Sequence, residues 1–273
     1  MSTSTIRPPL PTVSTPRGLG AYVRGDVAGW SSADAARRAA LARSARLRWV
    51  ALMVEAVDGR RPELQDLQRA ATAYAEQGLS VALWTFPHPV MRDPEYAVEA
   101  LERALVGLES VGVPCAGVIL DVEATDGGRM RPSAAWAREL VTRTDALLGS
   151  GRWLGVTSYG MQAWHRLPWA DMQHPRAWGS PQLYRSALEP DVVRRSLLGW
   201  GAGYGALVPS LPVYDVSGGA LAPAAQLERV LDAVLLDART GRPRVPGAAL
   251  WSEPQIDRAE ASVLRAWAER HGW

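Results

Sequence analysis

Two carboxylates one residue apart, Asp121 and Glu123, close the apolar stretch Cys115-Ala-Gly-Val-Ile-Leu-Asp-Val-Glu123. A run of this kind, 116–120, reads as a strand buried on both faces. Residues i and i+2 of a strand point to the same side, so both acids leave the strand end together. At that separation each carboxylate shifts the pKa of the other, and the two can divide the work of proton donor and charge stabiliser. The alternative is structural: one acid caps the next helix and the other pairs with an arginine.

Such a pair needs a frame to hold it, and the rest of the chain supplies a repeating one. Short apolar runs at 19–25, 49–56, 79–86, 116–120, 153–158, 177–184, 207–214 and 248–251 read as strands, separated by helical patterns. Ser31-Ser-Ala-Asp34 opens a helix rich in Ala and Arg that runs to about residue 46. Pro62, Asp93-Pro94 and Pro132 are start signals for three more, and a last helix spans 257–271. Eight strand–helix units in about 250 residues is the arithmetic of a single (β/α)8 TIM barrel, an α/β fold. An open doubly wound sheet is the competitor. Its Gly-x-Gly-x-x-Gly turn should leave the first strand, whereas Gly18 and Gly20 enter it. The expected layout is an N-terminal arm over 1–18, rich in Ser, Thr and Pro, followed by one barrel over 19–273.

Barrel enzymes collect their reactive groups at the carboxyl ends of the strands. Those ends here offer Asp26, Glu55, Trp84, Asp121, Glu123, Tyr159, Gln182, Tyr184, Asp215 and Trp251. A mouth of acids and aromatics suits cleavage of a glycosidic bond, which needs one carboxyl to protonate the leaving oxygen and another to stabilise positive charge. It suits phosphate substrates poorly, for the chain has no lysine and no glycine-rich cradle. No Gly-x-Ser-x-Gly elbow is present for serine hydrolysis. A divalent metal on Asp26, Asp121 and Glu123 is conceivable, but neither a metal nor another cofactor is expected. Catalysis is assigned to Glu123, Asp121 and Asp26, and substrate binding to Glu55, Trp84, Tyr159, Gln182, Tyr184, Asp215 and Trp251.

Composition sets outer bounds. The net charge is +2 across 273 residues, and no dense run of arginines suggests nucleic-acid binding. The single cysteine, Cys115, precludes an internal disulfide, and the four histidines show no metal-ligand spacing. No apolar run approaches the roughly 18 residues of a membrane span. Twelve tryptophans favour a carbohydrate ligand, since indole faces are flat platforms for sugar rings. The arm lacks the apolar core of a secretory signal. The expectation is synthesis in the cytoplasm and release by lysis or a delivery machine, with the arm as a dock for a phage or injection-apparatus component.

The order of motifs resembles the family 25 glycoside hydrolases, the lysozyme-like muramidases of bacteria and phages. Gly25-Asp-Val-Ala-Gly-Trp30 is similar to that family's opening Gly-x-Asp-Val-Ser-x-Trp, and Leu120-Asp-Val-Glu-Ala-Thr125 to its Asp-x-Glu strand. Val81 to Pro89 resembles its third strand, and Leu250-Trp-Ser252 with Asp257 its C-terminal elements. A second resemblance is to the family 18 chitinases. Gly117-Val-Ile-Leu-Asp-Val-Glu123 is similar to their fourth-strand signature, with Ala116 and Ile119 where two earlier aspartates stand. Gln182-Leu-Tyr184 and Trp251 match that family's sixth-strand tyrosine and final-strand tryptophan. Both resemblances imply cleavage of β-linked N-acetylhexosamine glycans, peptidoglycan first, in the manner of an endolysin. They imply that Glu123 is the general acid, that Asp121 stays ionised beside the 2-acetamido group, and that Asp26 is a polar wall. The competing class is a barrel with a decayed site, retained as a glycan-binding or docking module.

Overall fold

The computed structural model describes residues 14–24, 31–184, 186–216 and 223–273. Eight parallel strands close a barrel in chain order: β1 (Gly18–Val23), β2 (Trp49–Glu55), β3 (Ser80–Thr85), β4 (Cys115–Asp121), β5 (Trp153–Tyr159), β6 (Ala177–Gln182), β7 (Ser210–Pro212) and β8 (Gly247–Trp251), with β8 pairing back onto β1. The crossovers carry α1 (Ser32–Ser44), α2 (Leu64–Glu76), α3 (Pro94–Ser110), α4 (Ala134–Leu148), α5 (Trp169–Met172), α6 (Pro190–Gly201), α7 (Pro223–Leu235) and α8 (Arg258–His271). The expected (β/α)8 barrel is what forms, in one domain. β1 begins at Gly18, the last residue of the expected arm; residues 1–13 of that arm lie outside the described residues.

Local chemistry sets the helix starts. Ser31 caps α1 by accepting from the Asp34 amide, and the Asp34 carboxylate reaches back in a capping box. Asp93 caps α3, with Pro94 in its first turn. Helix α4 starts at Ala134 under a Ser133 cap, two residues after the expected Pro132. The fifth crossover is thin, because α5 is a single turn of four residues.

Two apolar layers result. Leu, Val and Ala from the outer strand faces pack against the helices. Inside the barrel sit Tyr22, Trp49, Trp84, Ile119, Trp153 and Trp178. The lower indoles pack on one another, Trp49 edge to face against Trp153 at 5.9 Å and Trp153 tilted against Trp178 at 5.5 Å. Glycines on neighbouring strands make room for them. A Cβ on Gly20 would lie 2.0 Å from the Trp49 ring, and one on Gly117 would lie 2.3 Å from that of Trp153. The indoles close the lower barrel, so any chemistry is confined to the opposite rim. Among the described residues no helix is long and apolar enough to cross a membrane.

Candidate active site

At that rim β4 delivers Asp121, which is 3% exposed, and Glu123, which is half-buried two residues on. Asp121 pairs in register with Thr157 of β5, and its Oδ1 accepts a hydrogen bond from Gln182 Nε2 of β6 at 3.0 Å. Burial, then the charge of Glu123, raises the Asp121 carboxyl well above the usual carboxylate range. Burial also raises Glu123, while hydrogen bonds from Gln182, Asp121 and Tyr159 oppose the rise. The two acids couple, and burial is the first cause of the rise at each, so both carboxyls keep their protons to higher pH than exposed ones would.

Two loops hold the strand end in place. Tyr159 donates to the carbonyl of Ala124 at 2.9 Å, and its ring stacks on His165 at 3.8 Å. Burial, then the charges of Glu123 and Asp121, pushes the Tyr159 phenol up to about 12, so it stays a neutral donor. On the other side His88 Nδ1 accepts from the amides of Val90 and Met91. That fixes the ring proton on Nε2, which donates to Thr125 Oγ1 at 3.3 Å.

Beside the acids stands an aromatic wall. Tyr184 packs on Trp251 at 5.8 Å, Trp251 on Trp84 at 5.5 Å, and both indoles pack on Tyr22. Trp84 is almost wholly covered, its Nε1 donating to the carbonyl of Val23. The floor is a chain of hydroxyls, in which Tyr22 meets Ser210 at 3.1 Å and Ser210 meets Ser180 at 2.7 Å. Burial raises Tyr184 well above its ordinary value, and the charges of Tyr22, Asp121 and Glu123 add to it, so the wall and the acids share one electrostatic environment. Beyond Trp84 and Trp251, and apart from the acids, lies a cavity of 630 Å³.

The structure thus brings Asp121, Glu123, Gln182, Tyr159, Tyr184, Trp84 and Trp251 to one rim. Glu55 departs from the expectation. A bulge sets Met53 opposite Trp84 but Glu55 opposite Thr85, which turns the carboxylate out of the mouth. There it is fully buried and 3.4 Å from Arg61, so its position is that of an ion-pair partner and not of a substrate ligand. Gln182 is engaged with Asp121, which makes it a positioning residue for the pair. Asp215 follows Tyr214, which packs on Tyr184 at 6.3 Å, and is exposed at the rim. Asp26 lies outside the described residues. Tyr22, Ser180 and Ser210 escaped the sequence reading. The alternation Gly20, Tyr22 on an inward strand face is the signal that points to Tyr22.

No protein-family model matches the chain, and no curated protein sequence matches it. Its fold does match solved structures. A GH113 β-1,4-mannanase aligns with TM-score 0.64 at 12% identity over 93% of this chain and 98% of that one. A GH18 chitinase from Pseudoalteromonas aurantia aligns with TM-score 0.60 at 12% identity over 92% and 99%. A D-allulose 3-epimerase from Methylomonas sp. aligns with TM-score 0.56 at 12% identity over 94% and 98%. The named activities differ and the identities are low, so these likenesses establish a complete TIM barrel and do not single out the family 25 muramidases.

Proposed function

We propose that this barrel is a glycoside hydrolase acting on β-linked N-acetylhexosamine glycans, with bacterial peptidoglycan as its first candidate substrate. The observation that carries the reading is the pair of neighbouring carboxyls Asp121 and Glu123 at the strand end, with Asp121 buried and held by Gln182 beside an aromatic wall. A sugar seated on Trp251 and Tyr184 would present its 2-acetamido group to Asp121. An amide N–H donated to Asp121 stabilises the ionised form of that acid and leaves a proton on Glu123. Protonated Glu123 then donates to the glycosidic oxygen as the bond to the anomeric carbon breaks. Ionised Asp121 steadies the acetamido group as it shields the positive centre. Water completes the reaction, returning its proton to Glu123. The mannanase and chitinase barrels similar in fold lend support at the level of scaffold.

Glu123→Gln keeps the side chain's shape and removes its proton chemistry. Dye release from purified cell walls by this variant should fall at least a thousandfold, a loss on the scale expected when the essential acid is removed. Undiminished release would refute the assignment. A glycan-binding barrel without turnover is favoured by one observation: the mouth cavity is lined by Trp84 and Trp251 and by neither acid. In that case the wild type binds cell walls, releases no dye, and binds equally well as Glu123→Gln.

A further inference from the structure

The cavity beyond the indoles differs in charge from the acid pair. Its apolar side includes Met53, Trp84, Phe86 and Trp251, a composition suited to the face of a sugar ring. Its polar side carries three guanidiniums, Arg24, Arg60 and Arg61, against one carboxylate, Asp58. Arg61 is fixed: it donates to the Tyr96 carbonyl at 2.9 Å, pairs with Glu55 behind the wall and stacks on the Tyr96 ring at 4.0 Å. Arg60 is 85% exposed and holds Asp58 at 2.6 Å, an open pair that water and salt weaken. Arg24 follows β1, where the alternation of Gly20 and Tyr22 aims it over the mouth, and it is exposed. It has no ion-pair partner among the described residues. Among the described residues, three cations against Asp58 and Glu55 leave one positive charge over, in a mouth whose other half holds two acids.

We propose that this cavity is a subsite for a hexopyranose bearing a carboxylate, with the ring against Trp251 and the carboxylate on Arg24. Arg24 offers a planar fork that matches a carboxylate in two parallel hydrogen bonds. The subsite would select acidic glycans over neutral ones of the same backbone, and would keep the substrate's negative charge away from Asp121 and Glu123. The inference rests on the glycosidase reading and narrows it to acidic substrates.

The test uses the full chain as the Glu123→Gln variant, so that binding is read without cleavage. Three oligosaccharides of equal length serve as probes in calorimetric titration: neutral N-acetylglucosamine oligomers, an alternating N-acetylglucosamine–N-acetylmuramic acid oligomer, and an alternating N-acetylglucosamine–glucuronic acid oligomer. At low salt at least one acidic probe should bind ten times more tightly than the neutral one, and which acidic probe does so identifies the source of the carboxylate. Adding Arg24→Gln should lower that ratio at least fivefold, and raising the ionic strength should lower it too. Equal binding of all three probes, or a ratio that Arg24→Gln leaves unchanged, overturns the subsite while the glycosidase reading stands. If none binds and the wild type cleaves none, both fail together.

Discussion

At the scale of single residues, the amide of Gln182 decides how the acid pair titrates. It is the group from a neighbouring strand that opposes burial at both Asp121 and Glu123. Gln182→Met preserves volume and removes the donor, so both carboxyls should rise further. In the proposed mechanism activity requires one proton on the pair, so the acid limb is set by the first deprotonation of the doubly protonated pair. Raising both values therefore moves the acid limb of the profile of kcat/KM against pH upward, and activity on that limb should fall more than activity at the optimum. A lower rate with an unmoved profile would place Gln182 on the substrate instead. The two acids were legible in the sequence because alternation along one strand is a local rule. Gln182 was legible only as a strand-end residue, since its bond to Asp121 depends on the register of β4, β5 and β6 together. The setting of Glu55 was not legible, because the shift in register between Met53 and Glu55 that places it opposite Thr85 leaves no mark in the sequence.

At the scale of elements, strand starts and helix caps were readable and strand lengths were less so. β7 was expected over 207–214 and spans Ser210–Pro212. Pro209 and Pro212 have no amide hydrogen to donate, which shortens the ladder, and Leu207 keeps only an isolated bridge to Gly179. How the indoles of the lower barrel fit together was not legible, because it depends on glycines of one strand facing indoles of the next. Gly20→Ala would drive a methyl into the Trp49 ring, and overpacking of this kind costs about 1–3 kcal/mol. Trp49→Leu leaves a cavity and is itself destabilising. Combined, each change relieves the other, and a double-mutant cycle from denaturant unfolding should show favourable coupling of about 1 kcal/mol or more. Strict additivity would mean that the two side chains do not compete for one space.

At the scale of the whole molecule, the barrel buries several carboxyls whose charge it does not fully compensate. Asp121, Glu123, Glu55 and Glu253 are all raised, with burial the first cause for each. Glu253 stands apart in the chain from the acid pair, in the turn after β8. It is fully buried, neither of its oxygens accepts a hydrogen bond, and Arg38 stands 3.8 Å away. Its carboxyl is pushed up to about 7. A folded-state pKa above the unfolded value means that the folded form prefers the protonated acid. That preference stabilises the fold fully below about pH 4.5 and is lost as the pH rises through 7. The shift corresponds to at most about 3 kcal/mol at one residue, and the other three carboxyls act in the same direction. Glu253→Gln retains the shape, removes the titration and should gain stability at pH 8 relative to the wild type, with little difference at pH 4.5. Guanidinium unfolding at both values, for both proteins, isolates the contribution of Glu253 from those of the active-site acids, which the two share. Parallel pH dependence in wild type and variant would show that Arg38 already compensates the buried charge, and that the loss of stability toward alkaline pH arises at the other buried carboxyls.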